Sequence, residues 1–270
     1  MGAVMDSREK LDKLRLLIAE SGAAVIALSG GTDSTLLTSV AAAVPGFKVM
    51  ALTVSTPYMF DGELRDAALF CHSRSIEQRE ISVEIPSSLG DNPPERCYLC
   101  KSELMRAIMA AAAESGFDTV FDGTNADDLN EHRPGMRALK ELGIRSPLAE
   151  AGLTKSEIRE LARDAGLEVS DKPSNTCLLT RFPHGTRITA GDLMRAEEAE
   201  MSIAALGFAG ARVRIHGELV RIECRREELA RMTEEETRQK VTAAIRKSGY
   251  RYVTVDLEGY RSGSMDINKE

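Results

Sequence analysis

An apolar, β-branched run, AAVIAL at residues 23–28, ends abruptly at the string SGGTDS, and a stretch typical of a helix follows. Glycines let a backbone approach an anion closely, and the first turn of a helix offers unpaired N–H groups and positive partial charge. The order strand, glycine loop, helix therefore predicts a phosphate cradle. Asp33 would repel a polyphosphate unless Mg²⁺ lies between them, so we expect a metal-bridged triphosphate. A plain glycine turn is the alternative.

Strands and helices alternate through the first two thirds of the chain, which is typical of a doubly wound parallel α/β sheet. The helix predicted over 154–166 opens with a capping box formed by Thr154 and Glu157. The predicted strands cover 23–28, 48–55, 78–83 and 119–124, and the predicted helices cover 7–21, 33–44, 60–74, 95–116 and 154–166.

The pattern changes after the stretch KPSNTCLLTRFPHG. A helix, a hairpin joined by Gly-Glu, a charged helix and a last strand predict a smaller C-terminal α+β domain. We place the two domains at 1–186 and 187–270. The C-terminal elements are predicted at 190–206, 211–216, 219–224, 226–247 and 252–257.

Composition narrows the class of partner. The chain has 270 residues, 35 of them basic and 42 acidic, for a net charge of -7, and only 4% are aromatic. An acidic chain without aromatic platforms is a poor binder of nucleic acid. No stretch reads as a signal peptide or as a membrane span of about 20 apolar residues. We therefore expect a cytoplasmic protein with neither nucleic-acid nor membrane partners, whose five cysteines are ligands or reactive thiols.

Cys97 and Cys100, in the string ERCYLCK, lie one helical turn apart, and Cys177 is the candidate third member of a ligand set. Three thiolates with one open position suit a 4Fe-4S cluster whose free iron carries an extra sulfide. Zinc bound by three thiolates and water is an alternative, and so are helix positions that merely tolerate cysteine. Cys71 and Cys224 lie in stretches typical of core cysteines.

Two familiar phosphate loops do not fit the glycine string. No lysine follows the glycines, as a Walker A loop requires, and the third glycine of a dinucleotide fingerprint is missing. LSGGTDSTLL at 28–37 resembles instead the PP-loop of the N-type ATP pyrophosphatases, which implies an adenine nucleotide hydrolase-like fold and cleavage of ATP between its α- and β-phosphates. By this resemblance, Mg²⁺-ATP is bound by Ser29, Gly30, Gly31, Thr32, Asp33, Ser34, Thr53, Gly123 and Asp127.

Further stretches resemble one family within that superfamily: DGTNADDL, KPSNTCLLTRFPHGTRIT, RVRIHGELVRIE and DLEGYRSGSMD. They are similar to the LarE family of pyridinium-3,5-biscarboxylic acid mononucleotide sulfurtransferases along nearly the whole chain. The resemblance implies adenylylation of a pyridinium carboxylate and its conversion to a thiocarboxylate. The product serves biosynthesis of the nickel-pincer nucleotide cofactor of lactate racemase, and the family implies a homohexamer.

The family resemblance also bears on the source of sulfur. One branch has a single working cysteine, matched here by Cys177, which gives up its sulfur and becomes dehydroalanine. The presence of Cys97 and Cys100 makes this sequence similar to the three-cysteine branch thought to use a 4Fe-4S cluster. We therefore expect a cluster on the three cysteines, with a sacrificial Cys177 as the alternative.

The substrate brings one phosphate, which arginine suits well. Arg212 and Arg214 alternate along a predicted strand and point to one face, where a solvated surface is the alternative. The resemblance assigns the substrate to Arg212, Arg214, Arg261, Glu200 and Glu223. By the same resemblance the two glutamates lie near the site and can hold a divalent ion, and the alternative is that Glu200 is an exposed helix residue and Glu223 ends a strand. Arg181, four residues after Cys177, is expected to act with Cys177 and Asp33 in catalysis.

Some alternatives stay open at this point. A tRNA thiolase uses the same loop, and a nucleotide-binding sensor would bind ATP without releasing pyrophosphate. Asp127 and Asp128 follow a strand end, where they could assist Mg²⁺ or cap a helix. His184 and His216 have no metal partner at a useful spacing and receive no role.

Overall fold

A computed structural model describes residues 5–130, 134–172, 176–261 and 263–265 of the chain. They form two compact units, and each is described by itself. Unit 1 consists of the segments Met1–Thr56, Asp61–Pro86 and Cys97–Lys172, and unit 2 consists of Pro57–Phe60, Ser87–Arg96 and Pro173–Glu270. The predicted division of function between 1–186 and 187–270 stays a prediction.

Unit 1 is built on a parallel four-stranded sheet, which confirms the predicted α/β class. The strands lie in the order β3-β2-β1-β4, so the chain moves to one side of β1 for two strands and then crosses to the other. In such sheets ligands bind at the carboxyl ends of the strands where the order reverses, here between β1 and β4. The strands are β1 (Ala23–Ala27), β2 (Lys48–Ser55), β3 (Gln78–Ser82) and β4 (Val120–Phe121).

Helices cover both faces of this sheet. On β1, Ala24 and Ile26 belong to one apolar cluster with α1, α2 and α7, whereas Val25 belongs to a second cluster with α4. Successive strand residues point to opposite faces, so the two clusters lie on the two sides of the sheet. No helix of the described residues has the length and apolar character needed to cross a membrane. The helices are α1 (Ser7–Glu20), α2 (Thr32–Ala43), α3 (Asp61–Ser73), α4 (Arg96–Glu114), α5 (Pro134–Glu141), α6 (Pro147–Ala151) and α7 (Lys155–Asp164).

Unit 2 contains a three-stranded sheet in the order β5-β6-β7, with β5 and β6 antiparallel and β6 and β7 parallel. The hairpin between β5 and β6 turns at Gly217, whose φ of 66° lies in the left-handed region that glycine favours. The elements are α8 (Ala190–Ala205), β5 (Arg212–His216), β6 (Leu219–Glu223), α9 (Leu229–Thr233), α10 (Glu235–Lys247) and β7 (Tyr252–Val255).

Two predicted elements are wrong in extent. The single helix expected over 226–247 is a 3-10 turn followed by α9 and α10. It breaks at Glu234, which is extended, after the hydroxyl of Thr233 bonds the carbonyls of Leu229 and Ala230. The strand expected over 119–124 stops at Phe121 because the following residues form a side-chain-bonded loop.

Candidate active site

The glycine loop leaves β1 and enters α2 as predicted. Gly30 has a φ of 76°, and a Cβ atom there would lie 2.4 Å from the carbonyl oxygen of Glu63, so only glycine fits. Gly31 is the N-cap of α2 and has no side chain with which to cap the helix. The first N–H groups of α2 are therefore left for an anion, at the positive end of the helix dipole.

The hydroxyl groups of the loop hold its shape. Ser34 Oγ accepts a hydrogen bond from the N–H of Ser29 and donates one to the carbonyl of Gly31, both at 3.2 Å. Thr32 Oγ1 donates to the carbonyl of Val169 at 2.7 Å. The loop is thus formed by its own bonds, and its backbone N–H groups are what it offers to a phosphate.

The end of β4 closes on the same helix turn. A Cβ atom on Gly123 would lie 2.9 Å from the backbone nitrogen of Ser34, so this close approach also requires glycine. Asp122, which sequence reasoning missed, is 2% exposed and accepts hydrogen bonds from Thr124 Oγ1 at 2.7 Å and Ser146 Oγ at 2.6 Å. Its position directly after an apolar strand was the available signal.

Asp33 combines a salt bridge with an orphan oxygen. Its Oδ2 accepts a hydrogen bond from Nζ of Lys155 at 2.5 Å, whereas its Oδ1 is buried and has no hydrogen-bond partner among the described residues. Lys155 is the first residue of α7, and its backbone N–H donates to Oδ2 of Asp127 at 2.8 Å. The structure therefore brings Asp33 and Asp127 together through a lysine that the sequence reasoning had not selected.

That bond to the first N–H of α7 agrees with the alternative in which Asp127 caps a helix, and its predicted role in binding ATP stays a prediction. Asp128 Oδ2 accepts a hydrogen bond from the N–H of Asn125, and Asn125 Oδ1 accepts from the N–H groups of both aspartates. These bonds close a tight turn after β4. Asp128, which had no assigned role, therefore helps to shape this turn.

A second missed lysine reaches the loop. Lys172 Nζ donates to the carbonyl of Gly30 at 3.3 Å and to the carboxylate of Asp66 at 2.7 Å. Thr53, predicted to bind ATP, is buried in β2, where its hydroxyl accepts a hydrogen bond from Nε2 of Gln78 at 2.9 Å. Its role toward a nucleotide stays a prediction.

All five cysteines lie in the described part of the chain, and none forms a disulfide. Cys97 and Cys100 lie in the first turns of α4, the former exposed and the latter partly exposed, and Cys177 is partly exposed. Cys71 and Cys224 are buried, as predicted, and burial raises the pKa of the Cys71 thiol to about 11. Across the described residues, no three side chains of histidine, cysteine, aspartate or glutamate are gathered as a metal site would require.

Cys177 begins a 3-10 turn that Arg181 holds from inside unit 2. Arg181 is fully buried, and its Nη1 donates to the hydroxyls of Thr176 and Thr180, both at 2.7 Å. Its Nε and Nη2 donate to the two carboxylate oxygens of Glu200 at 2.7 and 2.5 Å. Arg181 therefore ties the turn carrying Cys177 to helix α8.

The alternatives of a solvated arginine face and of an exposed helix glutamate at position 200 are wrong, whereas Glu223 does end strand β6, as its alternative has it. Arg212 and Arg214 are 5% and 4% exposed, and Glu200 and Glu223 are 6% and 0% exposed. Arg214 donates to Glu223 through Nε at 2.9 Å, and Arg212 Nη1 lies 3.5 Å from Glu200. Burial lowers the pKa of Arg212, and Glu200 opposes that change.

These residues form one group, the arginine cluster. Arg221 also pairs with Glu223 and is balanced in turn by Asp256, so the group keeps one cation in excess. It consists of three buried arginines facing two buried glutamates: Arg181, Arg212, Arg214, Glu200 and Glu223. An excess positive charge in a low-dielectric interior favours binding of an anion.

Among the other predicted residues of unit 2, Arg261 is linked to Glu223 by ion pairs through Asp256 and Arg221. Arg261 is 45% exposed in its side chain and pairs with Glu258 at 2.7 Å. His184 Nδ1 lies 3.1 Å from Arg96 Nη1. His216 lies at the end of β5 and is exposed. Partial desolvation of its ring lowers its pKa, and the positive charge of Arg221 is the next largest cause.

Comparison with known proteins agrees with this architecture. No protein-family model matches the chain. An uncharacterized protein of Synechocystis is 39% identical over 259 residues, covering 95% of this chain and 97% of the relative. Pyridinium-3,5-bisthiocarboxylic acid mononucleotide synthase of Lactiplantibacillus plantarum is 32% identical over 244 residues, covering 89% and 88%. A subunit of the glutamine-hydrolyzing GMP synthase of Archaeoglobus fulgidus is 29% identical over 167 residues, covering 57% and 54%.

The parallel α/β sheet with a glycine loop at the start of α2 is typical of the PP-loop class, and similarity to GMP synthase subunits points to the same class. Within that class, the relative from Lactiplantibacillus plantarum, which matches nearly the whole chain, shows the family. The chain belongs to the family of the pyridinium-3,5-bisthiocarboxylic acid mononucleotide synthase, the LarE family.

Proposed function

We propose that this chain is an ATP-dependent sulfurtransferase of nickel-pincer nucleotide cofactor biosynthesis. It adenylylates a carboxylate of pyridinium-3,5-biscarboxylic acid mononucleotide and converts it to a thiocarboxylate, releasing AMP and pyrophosphate. Membership in the family supports the substrate class. The observation that carries the ATP chemistry is the loop geometry, in which Gly30 and Gly123 leave room only for backbone beside the start of α2.

Mg²⁺-ATP fits the residues of this loop. At Gly30 and Gly123 the backbone of the chain packs too closely to admit a Cβ atom, and the first N–H groups of α2 have no side-chain cap, so they can bind an anion. The orphan Oδ1 of Asp33 is a hard oxygen ligand of the kind Mg²⁺ prefers. Bound there, Mg²⁺ would neutralise phosphate charge. The proposed nucleotide site thus consists of Ser29, Gly30, Gly31, Thr32, Asp33, Ser34, Thr53, Gly123 and Asp127.

Activation of the substrate is an exchange at the α-phosphate. A substrate carboxylate oxygen forms a bond to the α-phosphorus, and the bond from that phosphorus to the bridging oxygen of the β-phosphate breaks. The electron pair leaves on pyrophosphate. The dipole of α2 stabilises the negative charge that accumulates on the leaving group.

In unit 2, the arginine cluster is proposed to bind the pyridinium mononucleotide. Its surplus positive charge suits the phosphate, and Arg261 adds an exposed guanidinium. Glu200 and Glu223 hold the arginines in place through their ion pairs. Arg181 acts as a positioning residue for the turn that carries Cys177.

Two sources of sulfur are consistent with the cysteines. A 4Fe-4S cluster on Cys97, Cys100 and Cys177, with an external sulfide, remains our proposal from the three-cysteine pattern. Cys97 and Cys100 belong to unit 1 and Cys177 to unit 2, whereas the sacrificial route needs Cys177 alone.

In the alternative with a sacrificial cysteine, the thiolate of Cys177 attacks the acyl adenylate, a carbon–sulfur bond forms, and AMP leaves. Removal of the Cys177 α-proton then breaks the Cβ–S bond. The thiocarboxylate departs with the sulfur, and dehydroalanine stays in the chain.

The reaction is tested with the pyridinium substrate, ATP and MgCl₂, by measuring pyrophosphate, AMP and the mass of the product. A thiocarboxylate formed with pyrophosphate supports the proposal, and ATP binding without pyrophosphate release would show a sensor instead. The variant Asp33→Ala should lose pyrophosphate release and keep the native circular dichroism spectrum. An Asp33→Ala chain that still releases pyrophosphate contradicts the assignment of the loop.

Iron and acid-labile sulfide, measured after anaerobic reconstitution, separate the two sulfur sources. About four of each per chain, lost in Cys97→Ala, support the cluster. Absence of iron together with a mass loss of one H₂S at Cys177 after turnover supports the sacrificial route. A cytoplasmic location and a homohexamer belong to the same proposal, and size measurement of the purified chain tests the latter.

A further inference from the structure

One aromatic side chain beside the arginine cluster has no part in the chemistry described so far. Tyr260 precedes Arg261 in the stretch DLEGYRSGSMD, and its ring centroid lies 5.8 Å from Cζ of Arg212. Aromatic side chains are scarce in this chain, which has no Trp, 5 Tyr and 7 Phe. Among the exposed large hydrophobic side chains of the described residues, only Tyr252 and Tyr260 are aromatic, and Tyr260 is the one beside the cluster.

The backbone holds Tyr260 in place. Gly259 has a φ of 72°, and a Cβ atom there would lie 2.9 Å from the carbonyl oxygen of Cys224, so the turn before the tyrosine requires glycine. The N–H of Tyr260 donates to that same carbonyl at 2.7 Å. After the tyrosine, the hydroxyl of Ser264 donates to Oε1 of the buried Glu223 at 2.6 Å. The chain is thus anchored on both sides of Tyr260, next to the cluster.

The ring is held at a defined position without being buried. Tyr260 is 42% exposed, so its ring forgoes much of the stabilisation that burial of an aromatic side chain gives. The face of an aromatic ring carries negative potential and attracts cations within about 6 Å. The guanidinium of Arg212 lies close to that limit, so the exposed part of the ring can contact a second cation.

The substrate of the proposed function carries two groups that suit this place. Its phosphate suits the excess positive charge of the arginine cluster, and its pyridinium ring is a flat aromatic cation. The positive excess would repel that ring unless a group of opposite potential lay beside it. A tyrosine ring supplies this potential without a full charge, so it does not compete with phosphate for the arginines.

We propose that Tyr260 stacks on the pyridinium ring of the mononucleotide substrate and selects a cationic ring over a neutral one. The proposal rests on the proposed function, in which the arginine cluster binds the substrate phosphate. Tyr260 and the cluster then hold the two ends of one molecule. No covalent bond to the tyrosine forms or breaks.

The test measures the binding of three small molecules to the full chain by calorimetry: nicotinamide mononucleotide, whose pyridinium ring is cationic; its reduced form, whose ring is neutral; and ribose 5-phosphate, which has no such ring. Tyr260→Leu should weaken the binding of nicotinamide mononucleotide by about threefold to thirtyfold, the range for a cation–π contact. The reduced form should lose less affinity, and ribose 5-phosphate should bind as before. Tyr260→Phe should keep the native affinity, and Tyr260→Trp should equal or exceed it.

Tyr252→Leu is the matched control. Tyr252 is 51% exposed, and its ring centroid lies 5.3 Å from Cζ of Arg251. It pairs in register with Leu219, at the end of β6 opposite to Glu223. This variant removes an exposed tyrosine beside an arginine outside the cluster, and it should leave all three affinities unchanged. Tyr260→Gln provides a second variant without the ring should the leucine variant be unfolded.

The outcomes distinguish this proposal from the function on which it rests. An unchanged affinity of Tyr260→Leu for nicotinamide mononucleotide would show that the ring does not contact pyridinium. An equal loss for all three molecules would show that Tyr260 only supports the cluster, and an equal loss for the oxidised and reduced forms would show no selection for charge. Each of these results overturns the proposal and leaves phosphate binding by the cluster intact. A native chain that binds none of the three overturns both.

Discussion

Glu200 is the carboxylate whose removal should disturb unit 2 most. It is 6% exposed on α8 and accepts hydrogen bonds from the Nε and Nη2 atoms of Arg181. It also accepts one from the backbone N–H of Val213 at 3.2 Å and lies 3.5 Å from Arg212 Nη1. Replacement by alanine would leave two buried guanidinium groups without this carboxylate and one buried N–H without its acceptor.

The cost follows from these contacts. Removing one partner of a buried ion pair costs about 3–5 kcal/mol, because the remaining charge stays desolvated. With a urea m-value of about 2 kcal/mol/M, the midpoint of unfolding should fall by about 1.5–2.5 M. Glu200→Gln keeps an acceptor and should cost less, about 1.5–3 kcal/mol.

Buried thiols report this change locally. Cys224 in unit 2 and Cys71 in unit 1 are both buried, so each should react with a pulse of alkylating reagent only when its own surroundings unfold. Mass spectrometry of the labelled peptides gives a midpoint for each. Glu200→Ala should lower the urea midpoint of Cys224 labelling by the same 1.5–2.5 M, about the value expected for unit 2 as a whole.

A surface pair on α10 is the control. Glu236 pairs with Lys240 at 2.6 Å in an exposed position, and its removal should not shift the midpoint of Cys224 labelling. A Glu200→Ala chain whose Cys224 midpoint equals that of the native chain would refute the reasoning. The arginine cluster would then not be a network of buried ion pairs.

Three further predictions test the other features. Gly30→Ala should lower the free energy of unfolding by more than about 1 kcal/mol and abolish nucleotide binding. Gly46 has the same left-handed backbone but no clash, so Gly46→Ala should lower the free energy of unfolding by about 1 kcal/mol and keep nucleotide binding. Thermal unfolding and calorimetry measure both effects. Burial raises the pKa of the Cys71 thiol from 9.0 to about 11. The neutral buried thiol therefore contributes to the stability of the fold below pH 9.0, and this contribution is lost as the pH rises toward 11. Thermal unfolding measures the loss across this range, and a constant stability would contradict the raised pKa. Burial raises the pKa of the Glu157 carboxyl, but the hydrogen bonds from Lys10 and Thr154 lower it by more, so the pKa is lower in the folded chain. The native chain should therefore be more stable than Lys10→Met at neutral pH, and this difference should shrink as the pH falls below about 4.3. A difference in stability that stays constant from neutral to strongly acidic pH would contradict this assignment.

Local sequence signals predicted the local structure well. The strand at 48–55 and the capping box of Thr154 and Glu157 appear as expected, because each depends on residues close in the chain. The break at Glu234 was missed, since a charged, helix-favouring composition does not show which hydroxyl will bond a preceding carbonyl. The predicted length of strand β4 was too great, because Asp122 leaves the sheet and accepts a hydrogen bond from Thr124.

Pairings between distant residues escaped the sequence. Alternation places Arg212 and Arg214 on one strand face, but only the packing of α8 and the turn after Cys177 shows that this face is buried. In the same way, the capping box places Lys155 at the start of α7 without indicating that Asp33 lies against it. Both features are tertiary, and no periodicity encodes them.

The two candidate sites share one energetic property, which bears on what they do. Replacing a buried ion pair such as Arg181–Glu200 by well-packed apolar residues is often neutral or stabilising. A buried carboxylate oxygen without a donor among the described residues, such as Oδ1 of Asp33, also does not stabilise the folded chain. Charged groups that do not stabilise the folded chain are suited to bind ligands. The arginine cluster has an excess positive charge, and Asp33 has a carboxylate oxygen that could bind a metal ion. Under the proposed function, phosphate groups would complete both arrangements, with Mg²⁺ at Asp33.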